Sequence, residues 1–178
     1  VGLDAVVGFV LRLQGGGEVG ALPGPTGFGG LALGVLWPRA RLEVHGVALA
    51  PRTLALGERA VWARLFAGGV QGCGRLGRGA LEVPLCAGIE VGAMQGEASG
   101  LPGARRATSW WLAGALGPAL VWRVTARIGV WTGLQLVVAP VRPRFEQGVG
   151  ASAAVLFTPG AVSGRLAVGI ELRLRDRW

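Results

Sequence analysis

His45, the one histidine of the chain, stands two residues after Glu43 in the stretch "RLEVHGVAL". In an extended segment both side chains project from one face, where the carboxylate could orient the imidazole as a general base. Nucleophilic catalysis would also need a hydroxyl in reach, and Ser99, Ser109, Ser152 and Ser163 all lie on other segments. A lone histidine among charged neighbours is more simply a member of a charge network, so no catalytic residue is expected. One histidine and two cysteines at no recognisable ligand spacing give no metal site, and no other cofactor is expected. All eighteen basic residues are arginine. Without lysine there is neither a P-loop nor Schiff-base chemistry, and Gly15-Gly16-Gly17 reads as a loop, not a phosphate cradle.

The two cysteines carry a different chemistry. Cys73 and Cys86 flank "GRLGRGALEVPL", and a hairpin folded around Gly79 and Ala80 would set them opposite one another as a disulfide, the usual state in an exported protein. Pro84 then falls inside a strand without a donor for its ladder, which points to a bulge or a rim.

The elements that must position these residues are strands, because period two dominates the chain. From Leu3 to Leu13 every odd position is apolar, with Asp4, Arg12 and Gln14 on the other parity. From Leu81 to Ala93 the odd positions are again apolar and the even ones include Glu82 and Glu90. Ile128, Val130, Leu134, Leu136 and Val138 alternate with Arg127, Gly129, Trp131, Gly133 and Gln135. Arg41, Glu43 and His45 share one parity, Arg64 opposes an apolar parity in 61–67, and Glu171 and Arg173 interrupt Leu166 to Leu174. Eight strands are predicted, near 2–14, 26–37, 39–50, 58–72, 79–96, 107–121, 126–145 and 152–174, with the register of 107–121 open.

Composition says where such strands can live. Of the 178 residues 51% are hydrophobic and only 16% charged, with 33 glycines and a mean hydropathy of +0.50. That is too little charge to cover a soluble globule. A spanning helix is excluded, because the longest uncharged run, Val19 to Pro38, is broken by glycines and prolines. A closed barrel is the other way to satisfy the backbone in a bilayer. The expected fold is therefore a single domain over 1–178, an all-β, eight-stranded antiparallel up-and-down transmembrane β-barrel. The net charge of +8 is spread among acids along the chain, so nucleic acid is not an expected partner.

In this barrel the polar parity lines the lumen, and Asp4, Arg12, Arg41, Glu43, His45, Arg64, Glu82, Glu90, Arg127, Gln135, Glu171 and Arg173 form its ion-pair network. Eight strands leave just enough room for side chains to fill the interior. "WPRA" and "WRVTA" are short turns, whereas "GGGEVGALPGP" and "EASGLPGARRA" are longer loops on the opposite rim. Trp37, Trp122 and Trp178 fall on the short-turn rim, where indoles would make an interface girdle.

This pattern, completed by the closing strand "GIELRLRDRW", resembles the small eight-stranded outer-membrane β-barrels of the OmpA/OmpX type, including uncharacterised barrels of GC-rich Gram-negative bacteria. The resemblance spans nearly the whole chain. It departs from the family in having no tyrosine, which leaves Phe28, Phe145 and Phe157 to join the tryptophans, and in the arginines and aspartate that break the final alternation. It implies a monomer in the Gram-negative outer membrane, inserted by the barrel-assembly machinery and surrounded by outer-membrane lipid and lipopolysaccharide. Loop residues Arg105 and Arg106, with Arg52 and Arg59, would then face lipopolysaccharide phosphates. The opening residues show no basic segment with an apolar core, so a mature or trimmed export product is expected. The implied role is structural, adhesive or ligand-binding, and not enzymatic. Two alternatives remain: a soluble calycin-like barrel with an apolar ligand inside, and a lipid A-modifying barrel enzyme using His45 and Glu43.

Overall fold

A computed structural model of the protein describes residues 8–56, 59–99, 106–143, 145–147 and 154–175. Among them every regular element is a strand: β1 (Gly8–Val19), β2 (Thr26–Leu36), β3 (Ala40–Leu49), β4 (Arg52–Leu56), β5 (Arg59–Arg78), β6 (Leu81–Ser99), β7 (Arg106–Arg123), β8 (Ile128–Val141), β9 (Phe145–Gln147), β10 (Ala154–Phe157) and β11 (Val162–Leu174). Eight of these form a closed antiparallel barrel in the order β3-β2-β1-β11-β8-β7-β6-β5, and the pairing of β5 with β3 closes the ring. β4 resumes the third stave after Pro51 by pairing with β5, and β9 and β10 form a small hairpin of their own. Every barrel strand thus pairs with its neighbours in the chain, and β1 pairs with β11, as an up-and-down barrel requires.

Short turns gather at one rim. The Trp37 N–H donates to the Ala40 carbonyl at 2.8 Å, tightening β2 to β3. The β5–β6 turn is made by Gly79 and Ala80, with a φ of +69° at Gly79 that a side chain would resist. Between β7 and β8 the Thr125 hydroxyl accepts from the N–H groups of Arg127 (3.2 Å) and Ile128 (2.9 Å). β1 runs through Gly15-Gly16-Gly17 to Val19, so those glycines are strand and not loop. A Cβ at Gly16 would come within 2.0 Å of the Leu166 carbonyl oxygen, so only glycine admits β11 this closely. Pro84 lies in an unshifted register, since Glu82 faces Val121 and Leu85 faces Pro118 on either side of it. It therefore interrupts the ladder without a bulge, and it lies close to the short-turn rim, four residues after Ala80 of the β5–β6 turn. The one irregularity of the β7–β8 pair is between Leu112 and Gly114.

The faces decide the solvent. Leu13 is 64% exposed and Ile170 is 61% exposed, whereas Arg12 and Glu171, their neighbours in sequence, are 1% and 0% exposed. Apolar side chains point out and charges point in, the reverse of what a soluble ligand-binding barrel needs. On β7 the exposed Trp110 and Trp122 share the outward parity at opposite ends. Their twelve residues of strand, at about 3.3 Å each and a tilt of about 40°, put the indoles roughly 30 Å apart along the barrel axis, the span of a bilayer's apolar layer.

Candidate functional site

The lumen beside the short turns is filled by charge. Glu171 on β11 accepts from Arg12 of β1 at 3.1 Å, from Arg41 of β3 at 2.6 Å and from its strand neighbour Arg173 at 2.8 Å. Glu43 accepts from Arg12 at 2.8 Å, from Gln71 of β5 at 2.5 Å and from Arg41. Glu82 on β6 accepts from Arg75 Nε and Nη2, both at 3.0 Å, and from Arg173 at 2.9 Å, with Arg41 more distant at 3.6 Å. The Arg12 guanidinium also lies 4.1 Å from the centre of the Trp131 ring on β8. Ion pairs and hydrogen bonds of this one cluster tie five strands across the lumen, and the Trp131 contact adds a sixth.

A second layer lies nearer the loops. Arg165 of β11 donates to Glu18 of β1 at 2.8 Å and to Glu90 of β6 at 2.7 Å. His45 Nε2 meets Glu90 at 3.0 Å, and the Ser163 hydroxyl donates to Glu18 at 3.0 Å. Gln135 joins the two layers through Gln71, 3.3 Å away. Among the described residues the buried charges come to five arginines (12, 41, 75, 165, 173) and five glutamates (18, 43, 82, 90, 171). A balance of that kind lowers the cost of burying each of them. Toward the long loops the packing becomes apolar, with Phe28, Val47, Leu49, Ala63, Leu65, Met94, Trp111 and Val137 in one buried cluster.

The expected residues fall into three groups. Arg12, Arg41, Glu43, His45, Glu82, Glu90, Glu171 and Arg173 line the lumen, with Gln135. Arg64 does not. Its strand turns Val61, Ala63, Leu65 and Ala67 inward, because the upper lumen is apolar, and Arg64 points outward toward the bilayer. Arg127 is not in the lumen either; it is exposed in the β7–β8 turn, one residue before the strand begins. Phe28 packs inside and belongs to no girdle. Asp4, Arg105 and Trp178 lie outside the described residues, and so do the side chains of Arg59, Phe145 and Phe157. Trp122 is exposed on the short-turn rim, and Trp37 is half-buried in its turn. Cys73 and Cys86 face one another across β5 and β6 with their Cα atoms 4.0 Å apart, joined as a disulfide inside the barrel.

Glu18, Gln71, Arg75, Ser163 and Arg165 also line the lumen and are not among the expected residues. Glu18 and Arg165 carry the lumen parity of their strands, a signal that was available. Gln71 and Arg75 share parity with the apolar inward residues of β5, so alternation alone gave no sign of them.

The arrangement bears on chemistry. The carboxylate beside His45 is Glu90, 45 residues away, while Glu43 is held by Arg12 and Arg41. The hydroxyl of Ser163 is committed to Glu18, on the far side of Arg165. His45, Glu43 and a serine are therefore not brought together. Among the described residues no group of three histidines, cysteines or acids is placed to hold a metal ion. At the loop rim Arg106 pairs with Glu97 at 3.0 Å, both exposed, and Arg52 donates to the Pro25 carbonyl.

No family model matches the sequence, and no curated protein matches it in sequence. Solved structures do match its fold. It is similar to a major outer membrane protein from Thermus thermophilus (14% identity, 94% of this chain and 99% of that one, TM-score 0.66). It is similar to the N-terminal β-barrel domain of Pseudomonas aeruginosa OprF (9%, 94% and 97%, 0.61) and to Neisserial surface protein A (11%, 96% and 97%, 0.60). At such identities the likeness is one of fold. The chain has the architecture of the small eight-stranded outer-membrane barrels.

Proposed function

We propose that the protein is an integral protein of the Gram-negative outer membrane, a sealed barrel that acts as a scaffold for binding or adhesion at its loop-side rim and not as an enzyme or a pore. The observation that carries this reading is the filled lumen. Five arginines and five glutamates pair across the strands, and apolar packing covers them toward the loops. An ion crossing the barrel would have to break that network, at the cost of leaving a charge buried without its partner. Under the same reading the outward leucines and valines of β11 are lipid-facing, the barrel-assembly machinery inserts the chain through that strand, and lipopolysaccharide surrounds the loop half. The barrel works as a monomer.

Refolding from denaturant into detergent micelles tests the membrane reading: a β-rich spectrum and an unboiled band that migrates apart from the boiled one are expected. Folding as a monomer in plain buffer would overturn it. Reconstitution into planar bilayers tests the seal, for which no stable conductance steps are expected. The non-enzymatic reading fails if lipid A incubated with the refolded protein changes mass and Ser163→Ala or His45→Ala abolishes the change.

A further inference from the structure

Arg64 is a cation on the wrong face. The outward residues of β5, β6 and β7 form rows, because Phe66 faces Ala93 and Ala93 faces Trp110, while Arg64 faces Gln95 and Gln95 faces Thr108. The first row, with Trp110 77% exposed, is an aromatic boundary of the apolar band. Arg64 stands one row above it, on the loop side. Its Nε donates to Gln95 at 2.8 Å, and its guanidinium lies 4.9 Å from the Phe66 ring and 5.4 Å from the Trp62 ring. Those contacts hold the planar fork in place without neutralising it. Arg106, on the other side of Trp62, has Glu97 as its counter-ion; among the described residues Arg64 has no acidic partner and no acceptor for its two terminal nitrogens. A fixed guanidinium with free terminal N–H groups at the bilayer interface is matched to a phosphate.

Directly below lies a groove of about 620 Å³ on the outer face of β2, β3 and β5, walled by Leu13, Leu31 and Phe66. Its floor is Gly29, Gly46 and Gly68. Packing does not require glycine there: a Cβ on Gly29 would meet nothing within 4 Å, and one on Gly46 or Gly68 would meet a carbonyl oxygen no closer than 4.0 or 3.5 Å. Phe66 belongs to both features, so the groove opens beneath the cation.

We propose that Arg64, held by Trp62 and Phe66, binds a phosphate of lipid A in the outer leaflet, and that the groove below seats one of its acyl chains. This rests on the outer-membrane reading above and names its lipid partner. The phosphate supplies the counter-charge that Arg64 lacks among the described residues, and an acyl chain is the apolar partner that a headgroup at that height would bring.

Native mass spectrometry of the refolded protein in detergent, titrated with hexa-acyl lipid A, tests it. One retained lipid A per barrel is expected, with retention weakened about tenfold in Arg64→Ala and in Gly29→Leu, which fills the groove where a side chain has room. Arg106→Ala should retain lipid A as the wild type does. Phosphatidylglycerol should be retained far less well. Equal retention of phosphatidylglycerol, unchanged retention in Arg64→Ala or Gly29→Leu, or a dimer that Gly29→Leu dissolves would each overturn the proposal. Every variant is run boiled and unboiled, so a protein that folds as a heat-shifted barrel yet ignores lipid A sinks this seat alone. A wild type with no heat-shifted band sinks the membrane reading beneath it.

Discussion

Beside the short turns, Arg12, Arg41, Arg75 and Arg173 meet Glu43, Glu82 and Glu171; beside the loops, Leu49, Leu65, Met94 and Trp111 meet one another. The same staves line both halves, and β5 supplies Arg75 to one and Leu65 to the other from a single inward parity. What differs is how each half fails. Ion pairs are directional and mutually dependent, so removing one member strands the others in a place where water cannot replace it. Apolar packing has no such partners to strand, and its loss scales with the hole left behind. The charged half specifies which strands meet, and the apolar half tolerates change in proportion to volume.

Glu171 is the point at which the charged half should break. It accepts from three arginines, so Glu171→Ala leaves Arg12, Arg41 and Arg173 buried with one carboxylate fewer. The expected loss is about 3–5 kcal/mol, the range for breaking a buried pair from one side. Urea unfolding of the refolded barrel in lipid vesicles measures it. Glu171→Gln, which keeps an acceptor, should lose less. Equal losses in the two variants would mean that shape and not charge holds this half.

Leu65→Ala makes the matching change in the apolar half. Leu65 is fully buried, and its truncation is expected to lose about 2–4 kcal/mol by the same unfolding measurement. Leu65→Met, close in volume, should lose under about 1.5 kcal/mol. If Leu65→Met proves as damaging as Leu65→Ala, the loop half is as exacting as the charged half, and the contrast between them collapses.

The disulfide lies at the level of the charged half, inward from β5 and β6, and should matter less than either. It closes a loop spanning 13 residues that the Gly79–Ala80 turn already keeps short. Reduction is expected to lower stability by about 1–2 kcal/mol, below the usual contribution of a free loop of that length. Unfolding with and without a membrane-compatible reductant reads the difference. A larger loss would mean that the bond also positions Gln71 and Arg75, its neighbours on the inward face.

The charged half was more legible in the sequence than the apolar one, and the reason is physical. Where charges occupy the inward parity, as on β1, β3 and β11, alternation marks both faces at once. On β5 it misleads, because Val61, Ala63 and Leu65 are apolar and inward while Arg64 is polar and outward; the alternation is sound, but its sign is reversed. Arg127 shows a limit of another kind, since a parity carried past the end of a strand enters a turn and loses its meaning. The partner of His45 was out of reach altogether. Glu43 is near it in sequence, but Glu90 is reached only across the lumen, through a closure and stagger that no single strand records.

The smallest effect is expected at the rim, where Arg106 and Glu97 repeat the lumen's chemistry in water. Their nitrogen and oxygen are 3.0 Å apart, as close as many of the buried pairs, but the side chains are 57% and 44% exposed. In that setting the pair gains little over solvation, and ions screen what remains. Arg106→Ala is expected to change stability by less than about 1 kcal/mol, and raising the salt concentration should erase even that. Against Glu171→Ala the contrast is between one residue chemistry in two environments at similar distance. A rim variant as damaging as the buried one would show that Arg106 acts through its Trp62 contact and not through its charge, which Arg106→Leu, able to keep that contact, would then rescue.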